Sequence, residues 1–164
     1  MISENIQIRP ISPADNRELA AIIRNSLEEF GAARPGTVYF DLSTDHLYEL
    51  FQAPGSQYFT ALTDNGIVGG GGGIYPSRGL PDGICELVKM YLQPGLRGKG
   101  LGRVIIEKCL VFAKAAGYEQ VYIETLPELR KAMSVYERAG FRYLDGPLGD
   151  TGHFGCDVWM LKDL

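Results

Sequence analysis

The chain of 164 residues lacks much of what several common functions require. It has no basic excess: 16 Lys and Arg against 20 Asp and Glu leave a net charge of −4. Nucleic-acid and membrane-surface binding usually draw on a positive balance, so neither is expected. No stretch approaches the ~18 apolar residues of a membrane span, and the opening MISENIQIRP has no apolar core of signal-peptide length. Cysteines are few. Cys85, Cys109 and Cys156 make an odd count with no CxxC spacing, each in an apolar context. They read as reduced thiols packed as small hydrophobes, and a cytoplasmic location is expected. The two histidines, His46 and His153, show no HExxH spacing, so no metal is expected. Nucleotide fingerprints are missing too. No GxxxxGK[ST] occurs, and the GxGxxG template fails at its last position from Gly98 and from Gly100 alike.

What is present is an ordinary globular composition, with 45% hydrophobic and 22% charged residues. This length buries about two-thirds of its unfolded surface, enough for one domain over residues 1–164 without a metal or disulfide. Residues 6–10 alternate as a strand. Ser12 is a candidate N-cap and Pro13 suits a first helical position. Leu19, Ile22, Ile23 and Leu27 form the apolar face of the helix that follows, and Gly31 ends it. Residues 43–51 read as a short second helix, with His46 at its surface. Residues 56–76 read as a hairpin turning at Asp64-Asn65-Gly66, with Gly69–Gly73 inside the returning strand, where small residues admit a close neighbour. A central strand spans 84–92 and is broken by Pro94 and Gly95. A helix pattern over 100–116 runs through Leu101, Val104, Ile105, Lys108, Val111 and Phe112. A strand at 120–126, a helix at 127–139 opened by Pro127, and two strands around a glycine-rich loop complete the chain. The order β-α-α-β-β-β-α-β-α-β-β predicts an α/β (α+β) fold with a mixed, mostly antiparallel sheet. It should hold six to seven strands, with about four helices on its faces.

Residues 93–104, QPGLRGKGLGRV, stand between the central strand and a helix. The first N–H groups of a helix lack intrahelical partners and the dipole there is positive, so such a turn favours an anion. Arg97, Lys99 and Arg103 add charge. A tight connection with a solvated basic rim is the plainer alternative. The R-x-x-G-x-G of Arg97–Gly102 after ELVKMYL resembles motif A of the GNAT superfamily of acetyl-CoA-dependent N-acetyltransferases. The stretch ETLPELRKAMSVYERAGF, with Tyr136 four residues before Gly140 and Phe141, resembles that superfamily's motif B. The resemblance covers residues 84–141.

It implies a sheet with splayed central strands and acetyl-CoA as cosubstrate. Its pyrophosphate would lie on Arg97, Gly98, Lys99, Gly100, Leu101, Gly102 and Arg103. Its pantetheine arm would lie along Met90, Tyr91 and Leu92, with one N–H, that of Leu92, polarising the thioester carbonyl. Tyr136 would be the general acid and a further CoA contact. Leu129 departs from the family pattern, which often has an Asn there. Glu86 is the candidate base, an anchor for the substrate amine, or half of a structural ion pair. Alternation puts it on one face with Val88, Met90 and Leu92, and puts Lys89 on the other. His153 is a candidate substrate contact or alternative base, and Arg24, Glu28 and Arg34 are candidate acceptor contacts without a motif.

Three functions compete. The first is acetyl transfer to a primary amine of a small molecule by direct attack in a ternary complex. The second is a CoA-binding sensor without turnover. The third is a transferase acting on protein lysines or N-termini. A homodimer is compatible with all three.

Overall fold

The computed structural model describes residues 6–164; the first five residues of the opening segment lie outside them. The described residues form seven strands: β1 (Gln7–Pro10), β2 (Gln57–Leu62), β3 (Val68–Tyr75), β4 (Ile84–Leu92), β5 (Gln120–Thr125), β6 (Arg142–Leu144) and β7 (Val158–Asp163). They form one sheet in the order β1-β2-β3-β4-β5-β7-β6. Every neighbouring pair is antiparallel except β4 and β5. The helices are α1 (Asn16–Glu29), α2 (Leu47–Leu50), α3 (Leu101–Ala115) and α4 (Arg130–Arg138). This is the mixed sheet with helices expected from the order of elements.

Two apolar cores cover the two faces of the sheet. Leu19, Ile22, Ile23 and Leu27 of α1 pack with Leu47 of α2 and Tyr58 of β2 on one side. Leu101, Ile105, Ile106, Cys109 and Ala113 of α3 pack with Cys85 and Leu87 of β4 on the other, together with Tyr136 of α4. The buried stripe of α3 is therefore rotated from the expected one, and Val111 is 71% exposed. This helix is apolar on more than one side, so spacing alone does not select its inward face.

Two helices are shorter than their sequence patterns. Residues Leu42–Asp45 form a 3-10 turn, and α2 contributes one turn after exposed His46. Pro127 lies in a turn closed by the Leu129 N–H on the Leu126 carbonyl, 3.0 Å, and α4 begins only at Arg130.

The glycine run of β3 is packed rather than open. A Cβ on Gly71 would come within 2.3 Å of the Phe59 carbonyl oxygen and 2.5 Å of the Tyr58 ring. One on Gly72 would meet Met90 Sδ at 2.5 Å. Gly71→Ala is therefore predicted to destabilise the fold by about 1–3 kcal/mol, the usual cost of overpacking. The check is a lower urea midpoint at unchanged slope; an unmoved midpoint contradicts the packing described.

Candidate functional site

The site begins where two strands part. β4 pairs with β5 only over Ile84–Glu86 and Gln120–Tyr122, although β4 runs on to Leu92 and β5 to Thr125. Beyond Glu86 the β5-facing edge of β4 has no strand partner among the described residues. On its other edge β4 carries a bulge. Gly71 pairs with Tyr91 and Gly73 with Val88, so Lys89 and Met90 together oppose Gly72. Lys89 takes φ 53, a left-handed backbone.

The bulge reverses the alternation of side chains. Before it, Cys85 and Leu87 join the α3 core; after it, Met90 and Leu92 do. Val88 and Tyr91 join the α1 core. The sequence-based grouping of Glu86 with Met90 and Leu92 is thus corrected: those two lie on the opposite face. Lys89, expected away from Glu86, lines the same cleft as Glu86.

Two cavities meet at Glu86. The inner one, about 40 Å³, occupies the splay and is lined by Glu86, Tyr91, Glu124, Leu129, His153 and Cys156 among others. The outer cleft, about 480 Å³, is lined by Phe40, Asp41, Leu42, Ser77, Lys89 and His153 with Glu86. Glu86 is 2% exposed. Its Oε1 accepts a hydrogen bond from Ser77 Oγ at 2.5 Å. Burial, and then the charge of Glu124, push its carboxyl up to about 7 against the pull of Ser77, His153 and Lys89.

His153 is bracketed by acids. Its Nε2 lies 2.7 Å from Asp41 Oδ2 and its Nδ1 3.6 Å from Glu124 Oε2. Burial alone would lower its pKa, but Asp41, Glu124 and Glu86 outweigh burial and raise it to about 10. The two acids favour the protonated ring, which suits a fixed cation more than a base. Glu124 also accepts hydrogen bonds from Tyr122 Oη, 3.0 Å, and Thr151 Oγ1, 2.6 Å. Asp41, Ser77 and Glu124 were not legible as site residues. The one sequence signal was for Glu124, an acid inside an apolar strand just as Glu86 is. Glu86, Glu124 and His153 offer potential ligand atoms within 4.8 Å of one another.

The glycine turn lies at the other end of β4. Gly98 and Gly100 have φ 75 and 81, and a Cβ on either would meet no protein atom. Lys99 and Arg103 are exposed. Arg97 is turned away: its guanidinium bonds Glu29 at 2.5 Å and the Leu92 carbonyl at 3.0 Å, and lies 5.0 Å above the Phe30 ring. Tyr136 on α4 is buried with its ring 6.1 Å from that of Phe141. Among the described residues its hydroxyl makes no hydrogen bond, and burial raises its pKa. Arg24 lines neither cavity, its guanidinium being held by Asp45 at 2.5 and 2.9 Å. Arg34 is paired with Glu128, 2.8 Å, and Glu28 accepts the Tyr39 hydroxyl.

With this fold and this geometry the family can be stated: the chain belongs to the acetyltransferase (GNAT) family, which it matches over residues 20–141. It is 38% identical over 158 residues to the uncharacterized N-acetyltransferase YjgM of Escherichia coli, covering 96% of this chain and 94% of that one. It is 33% identical over 102 residues to human N-acetylaspartate synthetase, which is 62% of this chain and 31% of that longer relative. A GNAT acetyltransferase from Staphylococcus aureus superposes with TM-score 0.82 at 18% identity, over 96% of this chain and 98% of that one. A phosphinothricin acetyltransferase from Sinorhizobium meliloti, solved with AcCoA, superposes with TM-score 0.76 at 19% identity, over 97% and 88%. Both share the fold. No helix among the described residues is long and apolar enough to cross a membrane.

The buried carboxyl has a consequence for stability. Its folded pKa lies above its unfolded one, so its contribution is fully present below about 4.5 and is lost as pH rises through about 7. Without Glu86 the cluster holds two acids, Asp41 and Glu124, against two cations, Lys89 and His153. Glu86→Gln is therefore predicted to melt progressively higher than wild type as pH is raised from about 5 to about 8, with a gain on the order of 1–3 kcal/mol at the upper end. Thermal melts across that range check it; a difference that does not grow with pH contradicts it.

Proposed function

We propose that this N-acetyltransferase moves the acetyl group of acetyl-CoA to the primary amine of a small molecule, with both substrates bound together. One observation carries the reading. Glu86 is buried where the splay cavity and the outer cleft meet. A carboxylate at that junction can take the proton of an ammonium entering through the cleft, and its pKa near 7 suits a base at neutral pH.

Acetyl-CoA supplies an activated acetyl thioester. The glycine turn fits its pyrophosphate, because the space over Gly98 and Gly100 is free of protein atoms and the N–H groups of Leu101, Gly102 and Arg103 open α3. Lys99 and Arg103 would add charge, while Arg97 would shape the turn through its ties to α1. The unpartnered edge of β4 at Met90, Tyr91 and Leu92 would hold the pantetheine arm. The Leu92 N–H would polarise the thioester carbonyl. Tyr136, kept protonated by burial and with its hydroxyl uncommitted, would give a proton to the departing thiolate.

A small acceptor is supported by the volume of the cleft, within the usual range of small-molecule pockets. It is supported also by the human relative named N-acetylaspartate synthetase. A CoA sensor would have no use for a buried carboxyl whose ionisation weakens the fold.

The test is thiol release from acetyl-CoA over a panel of amines, with Tyr136→Phe alongside. Wild type should turn over, and the variant should lose about 100-fold or more in kcat with acetyl-CoA binding nearly unchanged. Equal kcat removes Tyr136 from the chemistry. Tight CoA binding without turnover on any amine favours the sensor.

A further inference from the structure

Lys89 is the one non-glycine residue with a left-handed backbone among the described residues. That conformation is disfavoured for every residue but glycine, so the bulge itself does not call for lysine. What it does is turn the side chain out of strand alternation onto the Glu86 face.

The side chain there is 4% exposed, and among the described residues its ammonium has one polar contact, Asp41 Oδ2 at 3.3 Å. That same oxygen is held more closely by His153, at 2.7 Å. An ammonium offers three donors. The others have no acceptor among the described residues, and Lys89 lines the outer cleft. Burial lowers its pKa, with Asp41 and Glu86 opposing that fall. At the cleft's rim Arg78 is exposed and has no ion pair among the described residues. The cleft therefore places an acceptor for an ammonium, Glu86, near buried donors for an anion. The two ends are close enough that each charge acts on the other's ionisation. Phe40, Leu42 and Leu50 line the rest.

We propose that Lys89 binds the carboxylate of the acceptor, and that the acceptor is an α-amino acid whose amino group lies at Glu86; the acceptor's role rests on the acetyl-transfer reading above. In this account Arg78 draws the same carboxylate into the cleft. The ammonium gives one proton to Glu86, and the freed amine nitrogen forms the bond to the acetyl carbon. The carbon–sulfur bond breaks as the thiolate takes a proton from Tyr136. The second proton leaves the nitrogen as the amide forms and restores Tyr136 through water, with the Glu86 proton passing to solvent.

The test uses matched pairs, each standard L-amino acid with its α-carboxamide. Equilibrium binding to the CoA-saturated protein and turnover with acetyl-CoA are both measured. Wild type should bind at least one amino acid about 10- to 100-fold more tightly than its carboxamide, the worth of one charge-assisted hydrogen bond. Lys89→Met should erase that preference and Lys89→Arg should retain most of it. Lys89→Gly, which relieves the left-handed backbone, should erase it as well. No preference in wild type overturns the proposal, as does a preference that survives in the Met and Gly variants, where Lys89 would serve only to hold Asp41. Equal turnover of acid and amide leaves acetyl transfer standing and this site refuted. Preferential binding of the acid without turnover does the reverse.

Discussion

The structure depends on where β4 and β5 stop pairing. Their parallel ladder ends at Glu86 and Tyr122, and beyond it β4 has no strand partner on that side among the described residues. Everything in the site is placed by that parting. It opens the inner cavity, exposes the β4 edge leading to the glycine turn, and leaves Glu86 at the last paired position, between the cavity and the outer cleft. The bulge at Lys89 completes the arrangement. Glycine in β3 leaves room for it: Gly72 faces Lys89 and Met90, and a Cβ there would meet Met90 Sδ at 2.5 Å. The five glycines of β3 and the charged residues of β4 are two parts of one packing solution.

The electrostatics follow from the same geometry. Glu86 would be an unsupported charge in a dry sheet. Ser77, His153 and Lys89 lower the cost of ionising it, while Glu124 and burial raise it, and the balance falls near neutrality. His153 lies between Asp41 and Glu124, and both acids favour its protonated form. A group that weakens the fold when ionised is a common mark of a site selected for chemistry over stability.

Much of the fold was legible because its signals are local. The strand at 84–92, the breaks at Pro94 and Gly95, the helix after Gly100 and the pair Tyr136 and Gly140 each show in a few adjacent residues. The parts that were not legible depend on partners far along the chain. A bulge is a mismatch between two strands, so nothing within ICELVKMYL announces that Lys89 joins the Glu86 face while Met90 leaves it. Asp41, Ser77 and Glu124 reach the site from three separate segments. Their convergence with His153 is a property of the assembled sheet. Arg97 belongs to the motif, yet its side chain is drawn to Glu29 on α1, a contact 68 residues distant in sequence.

The central claim is that Glu86, held at the edge of the splay, takes the proton of the acceptor amine. The pH dependence of kcat/KM for wild type and Glu86→Gln tests it most directly. If Glu86 is the base, the wild type shows an acidic limb with its midpoint near 7. In the variant that limb disappears and activity above it falls by about 100-fold or more. An acidic limb with the same midpoint in both proteins contradicts the account.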